Sequence, residues 1–538
     1  MSANSKQRFK DKYKYKPPDP RRSHRILSAE EITAGKGSKW SELRIESNVR
    51  ILSPKIFGMR FLTALYLNDN KLTALPSEIN LLDNLTYLDV SNNNLRSLPT
   101  SIGDMVNLRE LNLSNNNLRR LPNEVGKLFL LQHLRLQGNP LPPEISSIHT
   151  ETNGTSKLLL YLLDNLEGIV YITVCPQPPP RDWICLSDSG REVTPYAFTV
   201  MCYNVLCEKY ATRSSYGYCP SWALAWDYRR QNIMKEILHY NADVICLQEV
   251  ATDQFYTYLL PELKLHGYDG IFGAKSRART MVEPERSAVD GCAIFFRLNK
   301  FTLVKEDLIE FNHLAMMHAE KSEDMINRVM TKDNIAMICV LRVNKTDSSG
   351  KPLRLIVANA HMHWDPEFSD VKIVQTVMLV HEIYSLMKTI ASEIDCAISE
   401  IPLVVCADLN SLPSSAVVEM LTSGNVSVKH PDFKGKSYDG YFNNSCNILT
   451  RENNLVLPFK LAHAANQDFL PYTNMTYDFT GIIDYILFPS KLLYPSGILG
   501  GYSQAWVEEN KIVGYPHPHV PSDHISVLIE LDFKLGQD

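Results

Sequence analysis

Leu403-Val404-Val405-Cys406-Ala407-Asp408-Leu409-Asn410-Ser411-Leu412-Pro413 is an apolar run with two adjacent Val residues that stops abruptly in polar groups. The run reads as a buried strand, and Pro413 ends regular pairing. Asp408 and Asn410 stand two apart, so on an extended strand end they point the same way. One is an anion; the other is a neutral amide with both donor and acceptor. The pair suits a phosphate held beside a divalent metal, the carboxylate facing the metal or an attacking water and the amide holding a phosphate oxygen. Alone, Asp-x-Asn after a strand is more often an Asx-turn, so the rest of the chain must decide.

From about Trp183 the sequence alternates strands and helices with Pro-rich loops, and the same signature returns. Phe198-Thr-Val-Met-Cys-Tyr ends in Asn204, and Ala242-Asp-Val-Ile-Cys-Leu ends in Gln248-Glu249. Leu355-Ile-Val-Ala runs into Asn359-Ala-His361-Met-His363-Trp364. Ile482-Ile-Asp484-Tyr-Ile-Leu-Phe488 carries an acid inside an apolar strand, and Pro521-Ser522-Asp523-His524 lies near the C-terminus. Glu249 follows an apolar run, where a carboxylate is unfavourable unless paired or metal-bound. Asp484 needs a strong partner, and a histidine is the natural one. Polar groups gathered at strand ends around one rim are where active sites form.

The first half has another grammar. Leu62-x-x-Leu65-x-Leu67-x-x-Asn70-x-Leu72 recurs from Leu85, Leu108 and Leu131, with the asparagine returning as Asn93, Asn116 and Asn139 and a Leu-Pro at Pro76, Pro99 and Pro122. Trp40, Leu43, Ile45 and Asn48 form a degenerate first copy. This is a leucine-rich repeat. Each copy gives one short strand with inward Leu residues, and the Asn bonds backbone groups at the bend. The residues between the leucines, among them Tyr66, Tyr87, Asp89, Glu110 and Arg135, form a concave face suited to docking a protein. Lys157-Leu-Leu-Leu-Tyr-Leu-Leu-Asp-Asn-Leu166 reads as a capping helix, and Pro176-Gln-Pro-Pro-Pro180 as an extended connector. The expected division is a basic disordered tail over 1–34, repeats with their cap over 35–168, a Pro-rich linker over 169–184 and an α/β domain over 185–538.

The chain of 538 residues is 44% hydrophobic and 21% charged, with a formal net charge of -5. No global basic field marks a nucleic-acid binder, so a polyanionic substrate must be drawn by local basic groups or a bound metal. Eleven scattered Cys without a CxxC pair fit a reducing compartment, hence a cytoplasmic and also nuclear location. No signal peptide or membrane-spanning run is evident.

Asn204, Gln248-Glu249, Asn359-x-His361, Asp408-x-Asn410, Asp484 and Ser522-Asp523-His524, in that order, resemble the endonuclease/exonuclease/phosphatase superfamily. With the repeats in front, and with Ala358-Asn-Ala-His-Met-His-Trp-Asp-Pro-Glu367 and Cys406-Ala-Asp-Leu-Asn-Ser-Leu-Pro413, the chain is similar to the catalytic deadenylases of the CCR4-NOT complex. The resemblance implies a two-sheet α/β sandwich with a metal-dependent site on its rim, removal of poly(A) from its 3′ end as 5′-AMP, and a second deadenylase docked on the repeats. Ala360 stands where this family would be expected to carry Thr. In this reading Glu249 is the first Mg²⁺ ligand and Asp523 a second-site or outer contributor. Asp408 orients or deprotonates the attacking water, and His524, held by Asp484, bonds a phosphate oxygen. Asn204, Asn359 and Asn410 position phosphate, water and sugar, His361 contacts the phosphate, and Pro366 and Phe479 offer stacking surfaces for bases. Two rivals are weaker. An inositol-phosphate enzyme of this fold would place a basic residue after Gly481-Ile-Ile-Asp484-Tyr-Ile, and none is there; a dead nuclease would lack Glu249 or His524, and both are present.

Overall fold

The repeats and the strand–helix alternation separate into two units that divide near Pro176 in a computed structural model of the chain. It describes residues 41–534, apart from 47, 167–174, 187–193, 195, 319–321, 347–351, 447 and 451. The basic segment 1–34, Trp40 and the first part of the expected linker lie outside the described residues.

In the first unit the 23-residue period becomes five parallel strands, Glu42–Arg44, Ala64–Tyr66, Tyr87–Asp89, Glu110–Asn112 and His133–Arg135. A 3₁₀ turn returns the chain on the far side each time, as at Ser77–Leu81 and Thr100–Asp104. The repeated leucines are fully buried, because no single copy can cover its own row. Asn93 illustrates the bend. Its Nδ2 donates to the carbonyls of Leu67 (2.8 Å), Val90 (3.1 Å) and Ser91 (3.1 Å), and its Oδ1 accepts from Leu72 N at 2.9 Å. Asn70 and Asn116 do the same one repeat away on either side. The cap is two helices rather than one, Pro143–Thr150 and Gly154–Asp164, the second placing Leu158, Leu159 and Leu162 in the repeat core.

The second unit is a four-layer sandwich. One sheet has the strand order Trp183–Cys185, Leu493–Leu499, Val527–Phe533, Phe198–Asn204, Val244–Ala251, Asp290–Arg297, Tyr268–Ala274. The other runs Phe301–Glu310, Ile335–Thr346, Pro352–His361, Leu403–Asp408, Asp484–Phe488, Ala462–His463. The helix Trp226–Tyr240 covers the outside of the first sheet, and the helices Ser369–Ile394 and Ala416–Ser423 cover the second. Both faces of each sheet are therefore buried, which explains why the strands read as continuous apolar runs instead of alternating ones.

The second unit begins at Gln177, ahead of the expected boundary at 185. Trp183–Cys185 is an edge strand paired with Leu493–Leu499. Just before it, buried Arg181 donates to the Gly500 carbonyl (2.7 Å) and to Oγ and the carbonyl of Ser526 (3.0 and 2.8 Å). Proline-rich chain has no N–H groups to offer a sheet; one guanidinium supplies the missing donors.

Asn93→Ala should remove four bonds in a dry bend and lower the stability of the repeat unit by roughly 2–3 kcal/mol, whereas Gln132→Ala, on the exposed surface, should change it by less than about 0.5 kcal/mol; urea melts of the full chain followed by a probe in the repeats check this.

Candidate active site

The central pair of strands in each sheet is parallel: Phe198–Asn204 with Val244–Ala251, and Pro352–His361 with Leu403–Asp408. Their carboxyl ends consequently open on one rim, the usual place for ligands in such sheets. Register then aligns the polar residues. Asn204 is opposite Gln248, and His361 opposite Asp408. The antiparallel strands that start at the same rim contribute their first residues, Asp484 opposite Asp408 and Asp290 opposite Ala251.

Glu249 is delivered by a bulge. Gly291 pairs with Val250 but Ala293 pairs with Leu247, so the strand carries one residue too many at Gln248-Glu249, and Glu249 has φ 59°. An extra residue lets two neighbours that would face opposite ways both be used. Gln248 turns between the sheets; Glu249 stays partly accessible, its Oε2 accepting from Cys207 N at 2.9 Å. Leu206 (φ 52°) and Asn410 (φ 47°) are also left-handed on this rim. Such backbone is unfavourable by about 1–3 kcal/mol for a non-glycine residue and gathers at functional sites.

The remaining groups converge on Asp408. Its Oδ2 accepts from Asn204 Nδ2 at 3.0 Å and its Oδ1 from Asn410 N at 2.9 Å. His361 Nε2 and His524 Nε2 lie 3.6 and 3.8 Å from the same Oδ2. His524 Nδ1 is 2.8 Å from Asp484 Oδ2. The segment Asn204–Cys207 bonds Asp408 at one end and Glu249 at the other, and the Ser522 hydroxyl donates to the Asn204 carbonyl at 2.7 Å. Asn204, Glu249, His361, Asp408, Asn410, Asp484, Asp523 and His524 thus belong to one constellation.

Asn359 differs from the sequence expectation. It is wholly buried, its Nδ2 donates to the carbonyls of Leu247 (2.9 Å) and Ala293 (2.8 Å), and its Oδ1 accepts from Gln248 at 2.7 Å. With both donors committed to backbone it has none for a phosphate; it pins the second sheet to the first. The amide of Asn410 is likewise engaged, with Met362 O at 3.1 Å.

Pro366 is exposed, and Phe479 is 37% exposed. Phe479 sits in the turn of the hairpin Asn474–Met475/Thr480–Gly481, which is itself bonded to the site: Asn474 bridges His524, and Met475 N donates to the Asp523 carbonyl at 3.1 Å. Gly481 leaves the space that Leu412 and Phe479 occupy, since a Cβ there would meet Leu412 Cδ2 at 2.7 Å and Phe479 Cζ at 2.9 Å. Phe479 is therefore a rim residue and not a core one.

Electrostatics divides the site in two. On one side burial, followed by Asp484, pushes Asp408 up to about 6, while His524, Asn204 and Asn410 N oppose the rise. His524 is held well above the usual imidazole range because Asp484, Asp523 and Asp408 outweigh its burial. His361 is driven far below that range by burial and by Lys275, so it stays neutral, and its Nδ1 has no protein partner. On the other side burial pushes Glu249 up to about 7, with Asp290 and Asp523 adding to the rise against Lys275. Tyr216 Oη donates to Asp523 Oδ2 at 2.7 Å.

Two donor sets could hold a divalent metal. Ligand atoms of Asp408, Asp484 and His524 lie within 4.8 Å of one another. However, a protonated imidazole has no lone pair for a metal, and both Asp408 oxygens already accept hydrogen bonds. The Glu249–Asp523 side fits better: hard oxygen donors whose mutual repulsion a cation relieves. Sequence reasoning missed Lys275 and Asp290, buried next to Glu249 and paired at 2.6 Å, with Tyr210 Oη on Asp290 at 2.9 Å and Arg277 bonded to it. Each abuts an apolar run, Tyr268-Asp-Gly-Ile-Phe-Gly-Ala and Gly-Cys-Ala-Ile-Phe-Phe, the same signal that marked Glu249.

A four-layer sandwich with acids, amides and a carboxylate-held imidazole on one rim defines a phosphoester-cleaving hydrolase of the endonuclease/exonuclease/phosphatase family, and the chain belongs to it: residues 201–524 match that family, and residues 60–118 and 83–141 match the leucine rich repeat. Its relatives narrow the membership to the subunit-6-like branch. The chain is 53% identical to the CCR4-NOT transcription complex subunit 6-like-B of Xenopus laevis, over 97% of this chain and 96% of that one. It is 42% identical to the CCR4-Not complex 3′-5′-exoribonuclease subunit Ccr4 of Schizosaccharomyces pombe, over 91% and 74%. Among solved structures, ANGEL2, a 2′,3′-cyclic phosphatase, in complex with adenosine-2′,3′-vanadate, shares the fold with a TM-score of 0.53 and 24% identity, over 66% of this chain and 99% of that one.

Glu249 binds its proton more tightly folded than unfolded, so its ionisation weakens the cation-free fold as pH rises from 4.5 to about 7. Glu249→Gln should therefore melt above wild type near pH 8 in EDTA, by a margin that shrinks toward pH 4.5; calorimetry across that range measures it.

Proposed function

We propose that the protein is a Mg²⁺-dependent, poly(A)-specific 3′–5′ exoribonuclease that shortens mRNA tails to release 5′-AMP as a catalytic subunit of the CCR4-NOT complex. The observation that carries the proposal is the convergence of Asn204, His361 and His524 on one carboxylate oxygen of Asp408, with Glu249 tied to them through Asn204–Cys207. The nuclease activity and the complex are those named for the relatives.

Hydrolysis of a phosphodiester needs an oriented nucleophile, charge compensation on the phosphoryl group and help for the leaving oxygen. Glu249, with Asp523 close by, would hold a Mg²⁺, which would supply Lewis acidity to the phosphate and the leaving oxygen. Asp408 is the base. Asn204 and Asn410 N aim its carboxylate, and near neutral pH it is ionised yet basic enough to take a proton from water. His524 remains cationic and presents Nε2–H beside Asp408, where it can donate to a phosphate oxygen and stabilise charge in the transition state. Asp484 fixes the imidazole through Nδ1. Neutral His361 places Nε2 beside the catalytic carboxylate, 3.6 Å from Asp408 Oδ2, where it would contact the phosphate. Phe479 and Pro366 offer faces on which unpaired bases stack.

The repeats carry the second deadenylase in this proposal, on a concave face where Tyr66 and Tyr87 sit 5.0 Å apart and Arg135 bonds Glu110. Buried thiols such as Cys246, Cys292 and Cys339, none of them in a disulfide, support work in the reducing cytoplasm and nucleus. Among the described residues no helix is long and apolar enough to cross a membrane.

Glu249→Ala and Asp408→Ala should each slow 3′ trimming of A-tailed RNA at least about 100-fold while circular dichroism shows the fold retained; undiminished trimming in either variant rejects the assignment, and RNAs ending in A, C, G or U tracts, resolved by length with Mg²⁺, test the base preference. Phe479→Ala should raise KM for an oligo(A) substrate roughly 5- to 100-fold while leaving cleavage of a generic aryl phosphodiester near wild type; steady-state assays of both substrates separate stacking from packing.

A further inference from the structure

Lys372 lies in the first turn of the helix Ser369–Ile394 and is only 4% exposed. Its ammonium donates to the Asn410 carbonyl at 2.6 Å, and among the described residues this is its one hydrogen bond, with no ion pair. Asp408, Asp365 and Asp432 are near enough for their charges to be felt, but none is bonded to it; burial dominates and moves the ammonium down to about 8.

Three features disfavour a cation here. The group is out of water. It lacks a counter-ion. It also occupies the positive end of a 26-residue helix, where the backbone dipole repels it. Other buried cations of this unit are compensated. Lys275 pairs with Asp290 at 2.6 Å, Arg181 bonds Gly500 and Ser526 with Glu236 at 3.8 Å, and Arg229 makes four bonds to carbonyls. A methionine at 372 would suit the folded chain better, so the charge serves something the free protein does not contain.

What Lys372 holds identifies that partner. Asn410 is left-handed, its N–H is on Asp408 Oδ1, its Nδ2 is on Met362 O, and Lys372 takes its carbonyl. The turn is fixed at three points, and the third is a positive charge directly behind the acid that works on phosphate.

We propose that Lys372 is a positioning residue of the reaction: it clamps the Asn410 turn against Asp408 and keeps an uncompensated positive charge there that the phosphodiester of the bound substrate neutralises. The inference rests on the phosphodiesterase reading above and adds a residue to it.

The test uses the full chain as wild type, Lys372→Met and Lys372→Arg, assayed for kcat and KM on a 20-nucleotide oligo(A) with Mg²⁺ and for melting without ligand. Lys372→Met should lose at least about 30-fold in kcat/KM while melting at or above the wild-type temperature, because a buried unpaired charge is gone. Lys372→Arg should stay within about fivefold of wild type. Unchanged kcat/KM in Lys372→Met, a fall in melting temperature that accounts for the lost activity, or an arginine variant as impaired as the methionine one would each overturn the proposal. Inorganic phosphate provides an arm that needs no turnover. It should raise the melting temperature of wild type more than that of Lys372→Met, and equal shifts overturn the proposal. A wild type that binds phosphate in this differential way yet cuts no RNA would instead reject the nuclease reading and leave Lys372 as a phosphate-linked residue.

Discussion

A carboxylate at the dry junction of two sheets must be held by donors before it can do chemistry, and for Asp408 the decisive donor comes from the other sheet. Asn204 Nδ2 meets Asp408 Oδ2 at 3.0 Å, with both residues almost wholly buried. A step deeper, Asn359 of the second sheet accepts from Gln248 of the first and donates to the carbonyls of Leu247 and Ala293. Apolar contact alone would let two sheets slide, since dispersion and burial are not directional. Amides between the layers fix the slide, because any displacement leaves buried donors unpaired at about 1–3 kcal/mol each. The alignment of the rim, and hence every distance around Asp408, depends on this seam.

That explains what the sequence disclosed and what it concealed. Asn204, Glu249, Asp408 and Asp484 were readable because each ends or interrupts an apolar run, and a polar residue survives there only with a partner. The pairing of Asp484 with His524 followed from the same rule. The leucine-rich repeats were readable because their period is written in four in-phase copies. Asn359 carried the same signature as Asn204, yet it bonds backbone; strand position cannot tell an amide facing a ligand from one facing a carbonyl of another sheet. The bulge at Glu249 was invisible, since a left-handed glutamate leaves no mark in composition. Residues 177–184 looked like linker because prolines predict extended chain, and nothing local tells that Arg181 will supply donors to Gly500 and Ser526, more than 300 residues on.

The charges explain how an acidic chain can handle a polyanion. Glu249, Asp290, Asp408, Asp484 and Asp523 crowd one rim, and among the described residues Lys275, His524, Lys372 and Arg229 stand near them with Arg277 at the edge. Lys275 is already matched by Asp290. His524 is shared between Asp484 and Asp408. Burial first, then Asp290 and Asp523, raise Glu249 to about 7 against Lys275, and a ligand cation would relieve that repulsion.

The same accounting separates the two donor sets more firmly than proximity does. Asp408, Asp484 and His524 are closest together, but their hydrogen bonds saturate one another: Nδ1 of the histidine faces Asp484, and Asp408 accepts from Asn204 and Asn410 N. A metal entering there would have to displace a proton from an imidazole that three carboxylates hold in place. At Glu249 a metal would relieve the repulsion from Asp290 and Asp523. In the proposed reading Glu249 and Asp523 would hold the cation, while Asp408 and His524, at a separate place on the rim, would handle the proton and the phosphoryl charge. The strained turns at Leu206, Glu249 and Asn410 fall where the chain must bend sharply to keep those two places apart within one rim.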